Sequence, residues 1–102
     1  MEALEQASFQ LIIHSGNARS LAYEGFELAV SGDFPGSRGK LKEAEAELAL
    51  AHRQQTEMIQ KEARGEAVAP TLLLIHAQGH LMTAIAEVNL VERMIRVLEV
   101  RR

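Results

Sequence analysis

The chain has no cysteine and no tryptophan, and only one tyrosine and three phenylalanines in 102 residues. The missing thiols exclude disulfides, cysteine nucleophiles and cysteine-based zinc sites together. So few aromatic rings leave a core to be built from Leu, Ala, Ile, Val and Met. There is no long β-branched run and no Asn-Gly or Asp-Gly hairpin turn, which points away from sheet and toward helix. No uninterrupted apolar segment reaches the ~18 residues that a membrane-spanning helix needs. The acidic start, Met1-Glu2-Ala3-Leu4-Glu5, lacks the basic residues and apolar block of a secretion signal. A basic excess is missing too. The net charge is −3, Lys40 and Lys42 are interleaved with Glu43, Glu45 and Glu47, and Arg101-Arg102 is only a short basic tail. No nucleic-acid footprint is expected, and a cytoplasmic location is the default.

What is present fits one globular domain over residues 1–102, with 47% apolar and 25% charged residues. The spacing predicts three helices, over about 3–30, 35–62 and 71–99. In the first, Leu4, Ala7, Leu11, Ala18, Leu21, Ala22 and Leu28 recur at helical intervals. Glu5, Ser8, Ser15 and Arg19 stand among the polar positions between them. Small residues at Gly16, Ala18 and Ala22 allow a neighbouring helix to come close. Gly32 suits a helix stop, Asp33 a cap and Pro35 a first turn. The second helix carries the stripe Leu41, Ala44, Leu48, Ala51, Gln55 and Met58. Gly65, Pro70 and Thr71 mark its end and the start of the third, whose second half reads as Leu90, Val91, Met94, Ile95 and Leu98 inside. Three helices of this length are each about 40 Å long, and short turns between them give an up-down-up antiparallel bundle.

The third helix holds the chemistry. His76, His80, Thr83 and Glu87 (i, i+4, i+7, i+11) fall on one narrow stripe at 100° per residue. Nearly every other direction is apolar, with Leu72, Leu73, Leu74, Ile75, Ala77, Leu81, Met82, Ala84 and Ile85. A helix apolar all round is buried on more than one side, and so short a chain can hardly wrap it alone. The stripe is therefore expected in a subunit interface or cleft. His14, near Gly16 and Asn17, reads as a surface or packed histidine. His52, in Ala51-His52-Arg53-Gln54-Gln55-Thr56, reads as a surface or hydrogen-bonding one.

Three roles fit His76 and His80. They can be core histidines satisfied by Glu87, Gln55 or backbone. They can ligate zinc at i, i+4, although no Glu follows the first histidine to act as a base, and further ligands would have to come from His52, Glu87 or another subunit. Or one can act as a nucleophile that carries phosphate on nitrogen. That role needs neighbours to fix the tautomer and bind phosphoryl oxygens, for which Gln78, His80 and Thr83 are candidates. It also needs an apolar rim for docking proteins. No nucleotide-binding loop is present, so the phosphate would come from another phosphoprotein.

The string Ile75-His76-Ala77-Gln78-Gly79-His80-Leu81-Met82-Thr83 resembles the signature of the lactose/cellobiose-type enzyme IIA proteins of the bacterial sugar phosphotransferase system. Supporting matches are Ser15-Gly16-Asn17-Ala18-Arg19-Ser20, Gly32-Asp33-Phe34, Glu43-Ala44 and Ala51 to Thr56. The resemblance covers essentially the whole chain. It implies a three-helix subunit in a homotrimer with clefts between subunits. It implies that His76 accepts phosphate from HPr and passes it to enzyme IIB, serving uptake of a lactose-, cellobiose- or chitobiose-type sugar, with Gln78 and His80 supporting. The alternative is a non-catalytic bundle that binds a transition metal or a partner through the same stripe. The family usually has Asp where this chain has Gly79, and that Asp is implied to gather a metal ion near the three-fold axis. With Gly79 in its place no cofactor is expected, and the trimer is expected to form without a divalent cation.

Overall fold

The computed structural model describes residues 3–101, which form three α-helices and no strand: α1 (Ala3–Val30), α2 (Phe34–Ala63) and α3 (Leu72–Arg101). Met1 and Glu2, used above in reading the N-terminus, and Arg102 of the basic tail lie outside the described residues. None of these helices is long and apolar enough to cross a membrane.

The breaks follow local chemistry. After α1 the chain turns at Gly32, whose φ of +92° is open to glycine at little cost. The amide of Gly32 bonds to the carbonyl of Ala29 and that of Asp33 to Leu28, the paired pattern that closes a helix on glycine. Asp33 then caps α2, its Oδ1 accepting from the Gly36 amide at 2.9 Å, with Pro35 in the first turn. Gly65 (φ +86°) repeats the closure after α2, with Gly65 bonded to Glu62 and Glu66 to Lys61. Thr71 does not join α3. Its hydroxyl accepts from the Leu74 amide at 3.1 Å, so it is the cap and the helix starts at Leu72.

Cross-helix pairs set the topology. His14 meets Glu47 and Glu24 meets Lys40, while Arg19 meets Thr83 and Tyr23 meets Glu87. α1 and α3 therefore run parallel and α2 opposes both, the up-down-up order. α1 packs along both partners, while α2 and α3 meet each other less. The core has two parts. Ala18, Ala22, Ala29, Phe34, Leu41, Ala44, Val88, Val91 and Ile95 fill one, and Leu11, Ala51, Met58, Leu74, Ala77 and Leu81 the other.

Three expectations are corrected. Ser8 and Ser15 are not polar-face residues but fully buried, because α1 turns its smallest side chains toward α2 and α3. The close approach of α1 and α2 is made at Gly25, where a Cβ would stand 3.2 Å from the Ser37 carbonyl oxygen, whereas one at Gly16 would meet nothing. Leu90 and Met94 point outward, and the inner face of late α3 is Val88, Val91 and Ile95.

Candidate functional site

The stripe on α3 is open along most of its length. His76 is exposed and His80 half-buried. Their rings meet edge to face with centroids 4.5 Å apart, and the two Nε2 atoms are 3.0 Å from each other. A spacing of four residues stacks the two side chains on one face. Two imidazole nitrogens at this distance share one hydrogen between them: one donates and the other accepts. With the hydrogen on His80, the Nε2 lone pair of His76 accepts it and meets an electrophile only when that bond is given up.

Farther along, the stripe is tied to α1. Arg19 bonds through Nε to Glu87 and through Nη2 to the Thr83 hydroxyl at 2.8 Å, and the Tyr23 hydroxyl donates to Glu87 at 3.0 Å. The hydrogen bond from Arg19 holds the Glu87 carboxyl below its ordinary value of 4.5, outweighing its partial desolvation. The hydrogen bond to Glu87 in turn pushes the Tyr23 phenol above its ordinary value. Thr83 sends its own proton back to Gly79 O at 2.9 Å or His80 O at 3.2 Å. Glu87 thus belongs to Arg19 and Tyr23 and not to the histidines. Sequence reasoning had not brought Arg19 and Tyr23 to the stripe. The available signal was their i, i+4 spacing on α1, a cation and a phenol on one face opposite a single carboxylate.

The other predicted residue, Gln78, lies elsewhere. Two residues turn a helix by about 200°, so Gln78 sits across α3 from His76. Its Oε1 accepts from Gln55 Nε2 at 2.6 Å, in the groove between α2 and α3. One chain therefore brings together His76 and His80, with Thr83 farther along the same stripe, but not Gln78. His14 is half-buried and bonds to Glu47 on α2 and Gln10 on α1 rather than to the pair. His52 is exposed on α2, one turn from Gln55. Among the described residues no three of His, Cys, Asp and Glu come together as a metal-binding group. Gly79 itself offers no donor atom beyond its backbone, and a Cβ there would face open space. The residues present do not fit a metal held by side chains at that position.

Comparison with known proteins agrees with this architecture. Residues 6–99 match the family model of the lactose/cellobiose-specific IIA subunit of the PTS system. The chain is 47% identical over 98 residues to the lichenan-specific phosphotransferase enzyme IIA component of Bacillus subtilis, covering 96% of this chain and 89% of that protein. It is 38% identical over 98 residues to the N,N'-diacetylchitobiose-specific EIIA component of Escherichia coli K12, covering 96% and 84%. The crystal structure of the PTS cellobiose-specific enzyme IIA from Bacillus anthracis superposes with a TM-score of 0.93 at 43% identity, covering 97% of this chain and 91% of that one. A solution structure of the IIA(Chitobiose)–HPr complex of Escherichia coli gives a TM-score of 0.83 at 37% identity, covering 97% and 96%.

Proposed function

The chain belongs to the lactose/cellobiose-specific IIA subunit family of the phosphotransferase system, and from that premise we propose that it is a phosphohistidine carrier in which His76 takes a phosphoryl group from HPr and hands it to an enzyme IIB. The uptake it serves would be that of a lactose-, cellobiose- or chitobiose-type sugar. The observation that carries the reading is the histidine pair itself. In the tautomer in which His80 Nε2–H donates, His76 Nε2, 3.0 Å away, carries no hydrogen and offers its lone pair once His80 turns aside. As the N–P bond to His76 forms, the donor's N–P bond breaks and its electron pair returns to the donor nitrogen. In the same event His80 turns its N–H from the His76 lone pair to a phosphoryl oxygen, which frees the pair to attack and makes a charge-assisted bond stronger than the one it leaves. Transfer onward reverses these steps. His76 is the nucleophile, His80 and Gln78 are its phosphoryl-binding partners, and Thr83 holds Arg19 at the end of the stripe.

The reading includes self-association as a homotrimer, supported by the face of α3 opposite the core. Leu72, Ile75, Met82, Leu90 and Val97 are all exposed there, with Gly79 and Ala86 between them and no charge from Leu72 to Leu90 on that face. An apolar strip about 27 Å long, from Leu72 to Leu90, is more than a monomer commonly leaves bare. His76 and His80 lie on one flank of the strip and Gln78 on the other. A cyclic arrangement around the strip sets each chain's His76 flank against the next chain's Gln78 flank. Gln78 then reaches a phosphoryl group that its own subunit holds out of range. Gly79 lies mid-strip and supplies no ligand, so the assembly is proposed to need no divalent cation.

The test is incubation with phosphoenolpyruvate, enzyme I and HPr, followed by mass spectrometry. The expected result is a gain of one phosphoryl group, labile in acid and absent in His76→Ala. An unlabelled wild-type chain in the presence of phosphorylated HPr overturns the reading.

A further inference from the structure

His52 is singled out by the sequence yet has no part in the site of a single chain. It is exposed on α2, three residues before Gln55 and so on the same side of that helix. Gln55 bonds to Gln78 across the α2–α3 groove at 2.6 Å, which fixes the height of His52 relative to α3. His52 stands about 5 Å along the axis from the level of Gln78. The paired Nε2 atoms of His76 and His80 lie near the level of Gln78, so His52 stands about 5 Å from them along the axis. In one chain α3 separates the two sets of groups. The histidine pair is on the flank beside α1, and Gln78, Gln55 and His52 are on the flank beside α2.

We propose that His52 acts in trans, as a phosphoryl-binding residue for His76 of the adjacent subunit. The inference rests on the carrier reading and its cyclic assembly through the bare face of α3. When that face closes around the axis, the α2 flank of each subunit turns toward the histidine flank of the next. An imidazole N–H of His52 then donates to a phosphoryl oxygen on the neighbour's His76, opposite the donor that His80 supplies. The bond adds no covalent step. It stabilises the dianion as it arrives and holds it until the acceptor docks.

Subunit complementation tests this. His52→Ala is expected to slow phosphoryl transfer roughly tenfold or more, the effect of losing one donor to a charged group. His76→Ala takes up no phosphoryl group. If the two variants are coexpressed in equal amounts, about one site in four pairs an intact His76 with an intact His52 of the next subunit, by random assembly of a cyclic oligomer. Transfer should recover to about a quarter of the wild-type rate, against the roughly one-twentieth that His52→Ala chains alone would supply in that mixture. A mixture that stays at the lower figure, or a His52→Ala chain with the wild-type rate, overturns the inference while wild-type labelling leaves the carrier reading standing. A wild-type chain that takes no phosphate from HPr overturns both.

Discussion

Replacing His80 tests how much of the chemistry resides in the histidine pair. Its Nε2 is 3.0 Å from His76 Nε2, and on the carrier reading the same N–H is the donor proposed for the new dianion. A hydrogen bond to a charged group contributes about 1.5–3 kcal/mol, which at 1.4 kcal/mol per decade is a factor of roughly 10 to 150. The loss falls on the phosphorylated form, because unphosphorylated His76 can give its lone pair to water instead. His80→Ala should therefore shift the partition of phosphate back toward HPr by that factor, with a matching drop in the forward rate. His80→Gln, whose amide can still donate, should recover part of it. The assay is a single-turnover mixture with radiolabelled phospho-HPr, sampled to equilibrium and separated by charge. His80 is only half-buried, so both variants should melt within about 1 kcal/mol of wild type. An alanine variant with unchanged partition and rate would refute the assignment of His80 as the phosphoryl-binding donor.

Leu81→Ala removes a side chain at 0% exposure from the α3 core and should cost about 2–5 kcal/mol in denaturant unfolding. Ser15→Ala should instead gain roughly 1 kcal/mol, since the Ser15 hydroxyl is buried without a partner; a loss would mean that the hydroxyl is satisfied in solution. Glu87→Gln removes a carboxylate whose folded-state pKa is depressed by Arg19. A depressed carboxylate contributes stability that is fully present above its ordinary value of 4.5 and fades as the pH falls through the lower folded-state value. Glu87 is over a third exposed, so the advantage of wild type over Glu87→Gln at pH 7 should be under about 1 kcal/mol and should vanish in acid unfolding curves. Size exclusion with light scattering in excess chelator should give an unchanged trimer, and dissociation to monomers would contradict a cation-free assembly.

The helix limits were legible because glycine, proline and capping residues mark them. Gly32 and Gly65 adopt positive φ, and Asp33 and Thr71 cap the helices that follow. Which face of each helix turns inward was harder to read. α1 buries Ser8 and Ser15, and Ser8 answers its own hydroxyl through the Leu4 carbonyl at 2.9 Å, so polarity alone misplaced both. α3 carries apolar residues on two opposed faces. Leu90 and Met94 belong to the outer one, and apolar spacing cannot tell a face that meets α1 and α2 from one left bare on the isolated chain.

The same ambiguity explains what the sequence could say about the site. The i, i+4 spacing of His76 and His80 predicts their contact in any straight helix, and the rings do meet. Gln78 is two residues from His76, and that spacing alone places it on the far side of α3, whatever packs around the helix. On the carrier reading, Gln78 serves the phosphoryl group only if a second copy brings its own Gln78 into reach. The proposed role of Gln78 and the bare face of α3 thus lead to the same proposed assembly. Charge on that face tests them jointly: Met82→Lys should give a folded monomer that binds HPr weakly and takes up phosphate slowly. A monomer transferring at the wild-type rate would separate the chemistry from the assembly.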